Sequence, residues 1–256
     1  FDANYASGHP DSGIYVGQCR DCGAVVDGNL AERNAIGYEN TNASGVTVAD
    51  NVFRANRVGM TIASGDQEAL APQDGGRVVA NLVIDNDDPD TPETEGGFGV
   101  GIAVAGGQGN RIERNEVRGH PGVGILLIDQ AGYRPERDEV VDNDLADNAV
   151  DLAVAADGGG APSAPDSCFA GNRPARTVPN ALERLLGCSA DAADLPNEPL
   201  SLPEAPKGIA PAAVQRPGDQ PQLAGADAAV ADQQWSAPDR STPKLDLDAI
   251  DVPEAP

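Results

Sequence analysis

Between Gly13 and Leu152 one short phrase returns again and again: Gly-Ile-Tyr-Val (13 to 16), Gly-Tyr-Glu-Asn (37 to 40), Gly-Met-Thr-Ile (59 to 62), Gly-Ile-Ala-Val (101 to 104), Gly-Ile-Leu-Leu (124 to 127) and Ala-Val-Asp-Leu (149 to 152). First residues are spaced by 24, 22, 42, 23 and 25 positions, so a unit of about two dozen residues repeats with one large insertion, residues 63–100. A second phrase runs in step with it, an aliphatic residue followed by Asn three positions later and by a second polar residue five after that: Val26, Asn29, Asn34; Val48, Asn51, Asn56; Val78, Asn81, Asn86; Ile112, Asn115, His120; Val140, Asn143, Asn148. A fixed period of this length restricts the chain to a repeat architecture in which neighbouring units complete one another.

Each copy of the first phrase alternates apolar and polar side chains, as Ile14 and Val16, Met60 and Ile62, and Ile102 and Val104 show. That is the pattern of a short strand buried on one face. Such a strand cannot shield its apolar side alone. If each unit makes one circuit of strands and turns, equivalent strands stack about 4.8 Å apart and their aliphatic residues form one column, giving a parallel β-helix. Gly before the strand and Asn after it are expected to supply the left-handed turn conformations. Asn29, Asn51, Asn81, Asn115 and Asn143 are read as a structural ladder, because a buried amide must be paired and a stack of amides can pair along the axis.

Ser12-Gly-Ile-Tyr-Val-Gly-Gln-Cys19, Asn40-Thr-Asn-Ala-Ser-Gly-Val-Thr-Val48 and the paired-Asn phrase resemble the right-handed parallel β-helix repeat proteins, within them secreted bacterial proteins of unassigned function. The resemblance covers residues 1–157 and implies an all-β, right-handed, single-stranded solenoid. It implies no single activity, since the same solenoid carries pectate lyases, polygalacturonases, alginate epimerases, phage tailspikes, adhesins and a periplasmic accessory protein of nitrous oxide reductase maturation.

The enzyme motifs of these relatives are incomplete. Gly119-His-Pro is a fragment of a polygalacturonase-like set and lacks its aspartates, which leaves His120 as a turn residue. Arg134-Pro-Glu-Arg137 is one residue short of the pectate lyase pattern, and the Asp-Pro-His-Glu of alginate epimerases is absent. His9 lies in a polar turn and is read as a surface residue.

The register instead places Tyr15, Glu39 and Thr61 in one outward column, an aromatic beside a carboxylate that suits sugar recognition. The insertion carries further carboxylates. Glu68 is added to that candidate ligand site. Asp85, Asp87, Asp88 and Asp90, with Glu93 and Glu95, read first as a solvated acidic loop and alternatively as a Ca²⁺ site, although the calcium-loop spacing is missing. No other cofactor is expected.

A formal charge of -24 argues against nucleic acid and anionic membrane as partners. No apolar run is long enough to span a bilayer. The chain begins at Phe1 beside a repeat, so a signal or earlier coils are expected upstream. The even cysteine count fits disulfides in an extracellular, surface or periplasmic protein: Cys168 with Cys188 beyond the last coil, while Cys19 and Cys22 either pair or remain thiols, a copper or redox role being the alternative.

Residues 158–190 are expected to cap the solenoid, with Leu182, Leu185 and Leu186 on one helical stripe. Residues 191–256, rich in Pro, Ala, Asp and Gln and carrying the single Trp235, read as a disordered or loosely attached acidic tail. The favoured function is a recognition face for a polysaccharide or cell-envelope glycan, without catalysis. The alternatives are a polysaccharide lyase, hydrolase or epimerase using carboxylates near Glu39 and the insertion, and a periplasmic accessory protein in metal-enzyme maturation.

Overall fold

A computed structural model describes residues 1–92, 97–190, 193–216 and 245–254. Among these, the strands form three parallel sheets of seven, six and six members, with every neighbour one turn of the coil away in sequence. The first sheet stacks Ser12–Cys19, Ile36–Ala43, Val58–Ala63, Val100–Ala105, Val123–Ile128 and Val150–Ala155, and Thr177–Val178 closes it. The second holds Val25–Asp27, Thr47–Ala49, Arg77–Val79, Arg111–Glu113, Glu139–Val141 and Cys168–Ala170. The third holds Tyr5–Ser7, Leu30–Glu32, Val52–Arg54, Leu82–Ile84, Glu116–Arg118 and Asp144–Ala146. This is the right-handed parallel β-helix that the repeat implies.

The core is a set of columns. Ile14, Tyr38, Met60, Ile102, Ile125 and Leu152 pair in register along the first sheet, and all are buried. Val26, Val48, Val78, Ile112, Val140 and Phe169 form the matching column of the second. The sixth copy of the strand phrase sits two residues later than the sequence spacing suggests. Val123 pairs with Val150 and Ile125 with Leu152, which puts Asp151, and not Ala149, opposite Gly124.

The turn chemistry also differs from expectation. Positive φ is taken by the residue before each ladder Asn, for example Asp50 (φ 55°), Ala80 (φ 51°) and Asp142 (φ 55°), while the Asn itself is freed to point inward. The glycines that open the strands serve close approach. A Cβ on Gly59 would stand 2.5 Å from the carbonyl of Gly101, and one on Gly101 2.5 Å from that of Gly124, so a side chain would push the coils apart.

Asn29, Asn51, Asn81, Asn115 and Asn143 form the expected ladder, and it extends at both ends. Each rung donates its backbone N–H and its side-chain amide to the Oδ1 of the next, at 2.8–3.1 Å. Asn4 donates to Asn29, Asn143 donates to Asn172, and Asn172 donates to the Glu183 carboxylate. A second ladder runs through Asn34, Asn56 and Asn86. His120 continues it, with Nε2 facing the Asn86 amide at 3.2 Å and Nδ1 facing Asn148 Oδ1 at 2.8 Å. Burial holds His120 neutral, its pKa lowered to about 4. Asn148 in turn donates to Asp151.

The cap is shorter than the leucine stripe suggests. Only Leu182–Leu185 is helical, with Leu182 and Leu186 buried against the last coil, and Cys168 is bonded to Cys188 across it. Described parts of the tail lack strands, and several of their side chains pack on the solenoid. Leu200 packs on the outward aliphatic column that includes Val58, Val100 and Val123, and Val214 is buried beside Gly8. Leu247, Ile250 and Val252 cover Ala49, Val79 and Ala80, and Arg114 donates to the carbonyls of Leu247 and Ile250. Trp235 lies outside the described residues.

A third polar column holds the acid Asp138. Its Oδ1 accepts from the backbone and side-chain amides of Asn110 at 2.8 and 2.9 Å, and its backbone N–H donates to Ser167. Burial raises its carboxyl to about 7, against the pull of Asn110 and Arg137.

Two outcomes follow from these columns. Asn81→Ala leaves the Asn51 donors without their acceptor, removes the amide from the Val48 and Val79 oxygens and one of two donors from Asn115 Oδ1, and should lower stability by about 3 kcal/mol, read as a fall in the urea midpoint; an unchanged midpoint would show that the ladder is not structural. For Asp138 the folded state binds the proton more tightly than the unfolded, so its contribution to stability falls as pH rises from about 4 to about 7 and is then level. Asp138→Asn should therefore raise the urea midpoint more at pH 8 than at pH 4 relative to the parent, and a difference independent of pH would refute the assignment.

Candidate functional site

The corners of the coil decide where a site can form. Turns between the second and third sheets, and most of those from third to first, are short and uniform. The corner from the first sheet to the second varies, and the insertion of the sequence is shared between two corners: residues 64–76 bulge from this one, and the described residues 85–92 and 97–99 belong to the corner from the third sheet to the first. Together with the N-terminal turn His9–Ser12 and Leu202 of the tail they wall a groove of about 1020 Å³ laid across the first sheet.

Tyr15, Glu39, Thr61 and Glu68 all line that groove. Tyr15 and Glu39 are register partners on adjacent strands, as are Glu39 and Thr61. Tyr15 is 40% exposed and lies back along its own strand over Gly17, where a Cβ would stand 2.2 Å from the phenol oxygen. The glycine at 17 is thus what allows the ring to lie flat on the sheet. The phenol donates to Glu68 Oε1 at 2.6 Å, which ties the insertion to the first strand. Burial and the Glu68 carboxylate both raise the Tyr15 pKa, so the phenol keeps its proton.

Glu39 accepts from Thr41 Oγ1 at 2.9 Å. Its carboxyl is pushed up by burial, partly offset by Thr41 and Ser12 and reinforced by the charges of Asp11 and Glu68. Asn42 staples the bulge from below, donating to the carbonyls of Gly65 and Glu68 and accepting from the Gly65 N–H. Sequence reading missed Asp11, Thr41 and Asn42. Thr41 was within reach, two positions after Glu39 on the same face of one strand. Asp11 and Asn42 needed the path of the loops.

Of the acidic run, expected as a solvated loop with Ca²⁺ as the alternative, the structure describes Asp85, Asp87, Asp88 and Asp90. Among the described residues no three His, Cys, Asp or Glu side chains are placed to share a metal ion. Asp87 is raised by burial and by Asp85 and Asp88, Asp88 accepts from the Asp90 backbone N–H, and Asp85 turns to the next coil beside Gly119. Glu93 and Glu95 lie outside the described residues.

Soft metal donors are all accounted for. The sequence holds four Cys, two His and one Met. Cys19 is bonded to Cys22 and Cys168 to Cys188, Met60 is in the core, and both ring nitrogens of His120 are engaged in the second ladder. His9 alone is exposed, on the rim of the groove.

Three sheets, stacked amides and a groove over one sheet define a right-handed parallel β-helix protein. The profile of the family described as periplasmic copper-binding protein (NosD) matches residues 1–161, and the chain belongs to that family. Its periplasmic location agrees with the compartment inferred from the cysteines, and no described helix is long and apolar enough to cross a membrane. No curated protein matches the chain.

Proposed function

We propose that the chain is a periplasmic recognition protein that holds a polysaccharide or cell-envelope glycan along the groove of its first sheet, without chemistry of its own. The observation that carries this reading is the convergence of the outward column Tyr15, Glu39 and Thr61 with the bulge 64–76 around one groove. An exposed ring lying flat on a rigid sheet offers a stacking surface, and the hydroxyl and amide groups around it offer partners for sugar hydroxyls.

A glycan array followed by mass analysis of any retained glycan tests this. Retention of intact glycan is expected, with Tyr15→Ala weakening it by up to about tenfold. Unsaturated or shortened products would support the rival lyase or hydrolase. Unchanged retention by the variant would move the site elsewhere.

The family description favours a second reading, an accessory role in the maturation of a metal enzyme. The donors present do not fit copper while both disulfides are closed, because only His9 is left among the Cys, His and Met side chains. Oxidised protein titrated with Cu(I) against a competing chelator should retain none. Tight binding after reduction, abolished by Cys19→Ser with Cys22→Ser, would support the accessory role; no binding in either state would remove it.

A further inference from the structure

The charge of the groove narrows what it can hold. Asp11, Glu39, Asp66 and Glu68 line it, and among the described residues no lysine or arginine does. Two of their oxygens, Glu39 Oε2 and Glu68 Oε2, are shielded from solvent and accept no well-formed hydrogen bond. A carboxylate oxygen withdrawn from water without a donor is costly, so these two add to a negative field that the described lining leaves without a cation. The same residues do not converge as a metal site. Uronate polymers, the substrates of the enzymes whose motifs were sought, would bring like charge into this field.

We infer that the groove selects glycans carrying free amino groups, that is oligosaccharides of de-N-acetylated hexosamine, and rejects polyuronates. This rests on the groove being a glycan site, as proposed above. An ammonium on each sugar pairs with Glu39 and Glu68 through charge-assisted bonds, while Ser12, Thr61 and Gln130 face the hydroxyls. The cation would also offset the burial, and the lesser repulsion from Asp11 and Glu68, that raise the Glu39 carboxyl.

Isothermal titration of the full chain with glucosamine, N-acetylglucosamine and galacturonate oligomers of equal length separates the outcomes. The amine oligomer should bind at least about tenfold tighter than its acetylated form, with the galacturonate weakest and the preference eroded by salt. Glu68→Gln and Glu39→Gln should each reduce the ratio of the two affinities. Equal binding of amine and acetylated forms, or tightest binding of galacturonate, overturns the amine selectivity and leaves the groove as a glycan site. If none of the three binds while the array retains another glycan, the selectivity again fails. If no glycan binds at all, both readings fall.

Discussion

The hydrogen bond from one buried asparagine to the next is the constraint on which this protein is built. A narrow coil has room inside for one side chain per strand position, so every inward polar group must be satisfied along the axis or not at all. Repeating one amide at one corner solves this, since each Asn is donor to the rung beyond and acceptor from the rung before. Where the column ends, the acceptor is a carboxylate, Glu183 for the first ladder and Asp151 for the second. The short cap therefore does two things at once. It covers apolar side chains with Leu182 and Leu186, and it supplies the last acceptor.

A scaffold fixed in this way leaves the outside free to vary. Strand register sets Tyr15, Glu39 and Thr61 in line regardless of what they are, and the groove arises because one coil enlarges its corner at 64–76 over that sheet, with Gly97 on the other side. The described tail adds to this by lying on the aliphatic column at the side of the groove, where Leu200 and Leu202 meet it. Membership of a family described as copper-binding coexists with a chain whose Cys, His and Met side chains, His9 apart, are committed to disulfides, core and ladder. The family thus fixes architecture and compartment more firmly than it fixes ligand.

Much of the architecture could be read from the sequence because a solenoid writes its contacts as a period. Ile14, Met60, Ile102 and Ile125 occupy one column as their spacing says, and the five Asn of the ladder stack as their shared offset says. Period alone could not reveal the sixth copy, where Asp151 replaces a glycine and residues 129–138 lengthen the coil that leads to it, so the phrase slipped by two residues. Nor could it show that the residue before each Asn carries the positive φ, since Ala80, Arg114 and Asp142 have no common chemistry. The outward column of the site followed from alternation. Its walls did not, because Asp11, Asn42 and the tail reach it through loops, whose course depends on particular contacts such as Asn42 with Gly65.

In both amide columns the rung-to-rung N–H groups point toward the cap, while the second hydrogen of each amide turns back to a carbonyl of the coil before, as Asn51 does to Val26 and Asn56 to Ala31. The capped face already has its acceptors filled from within by Glu183 and Asp151. Two copies brought cap to cap would find these two acceptors already occupied. The arrangement that finishes the fold therefore also makes that face a poor place for fibres to grow.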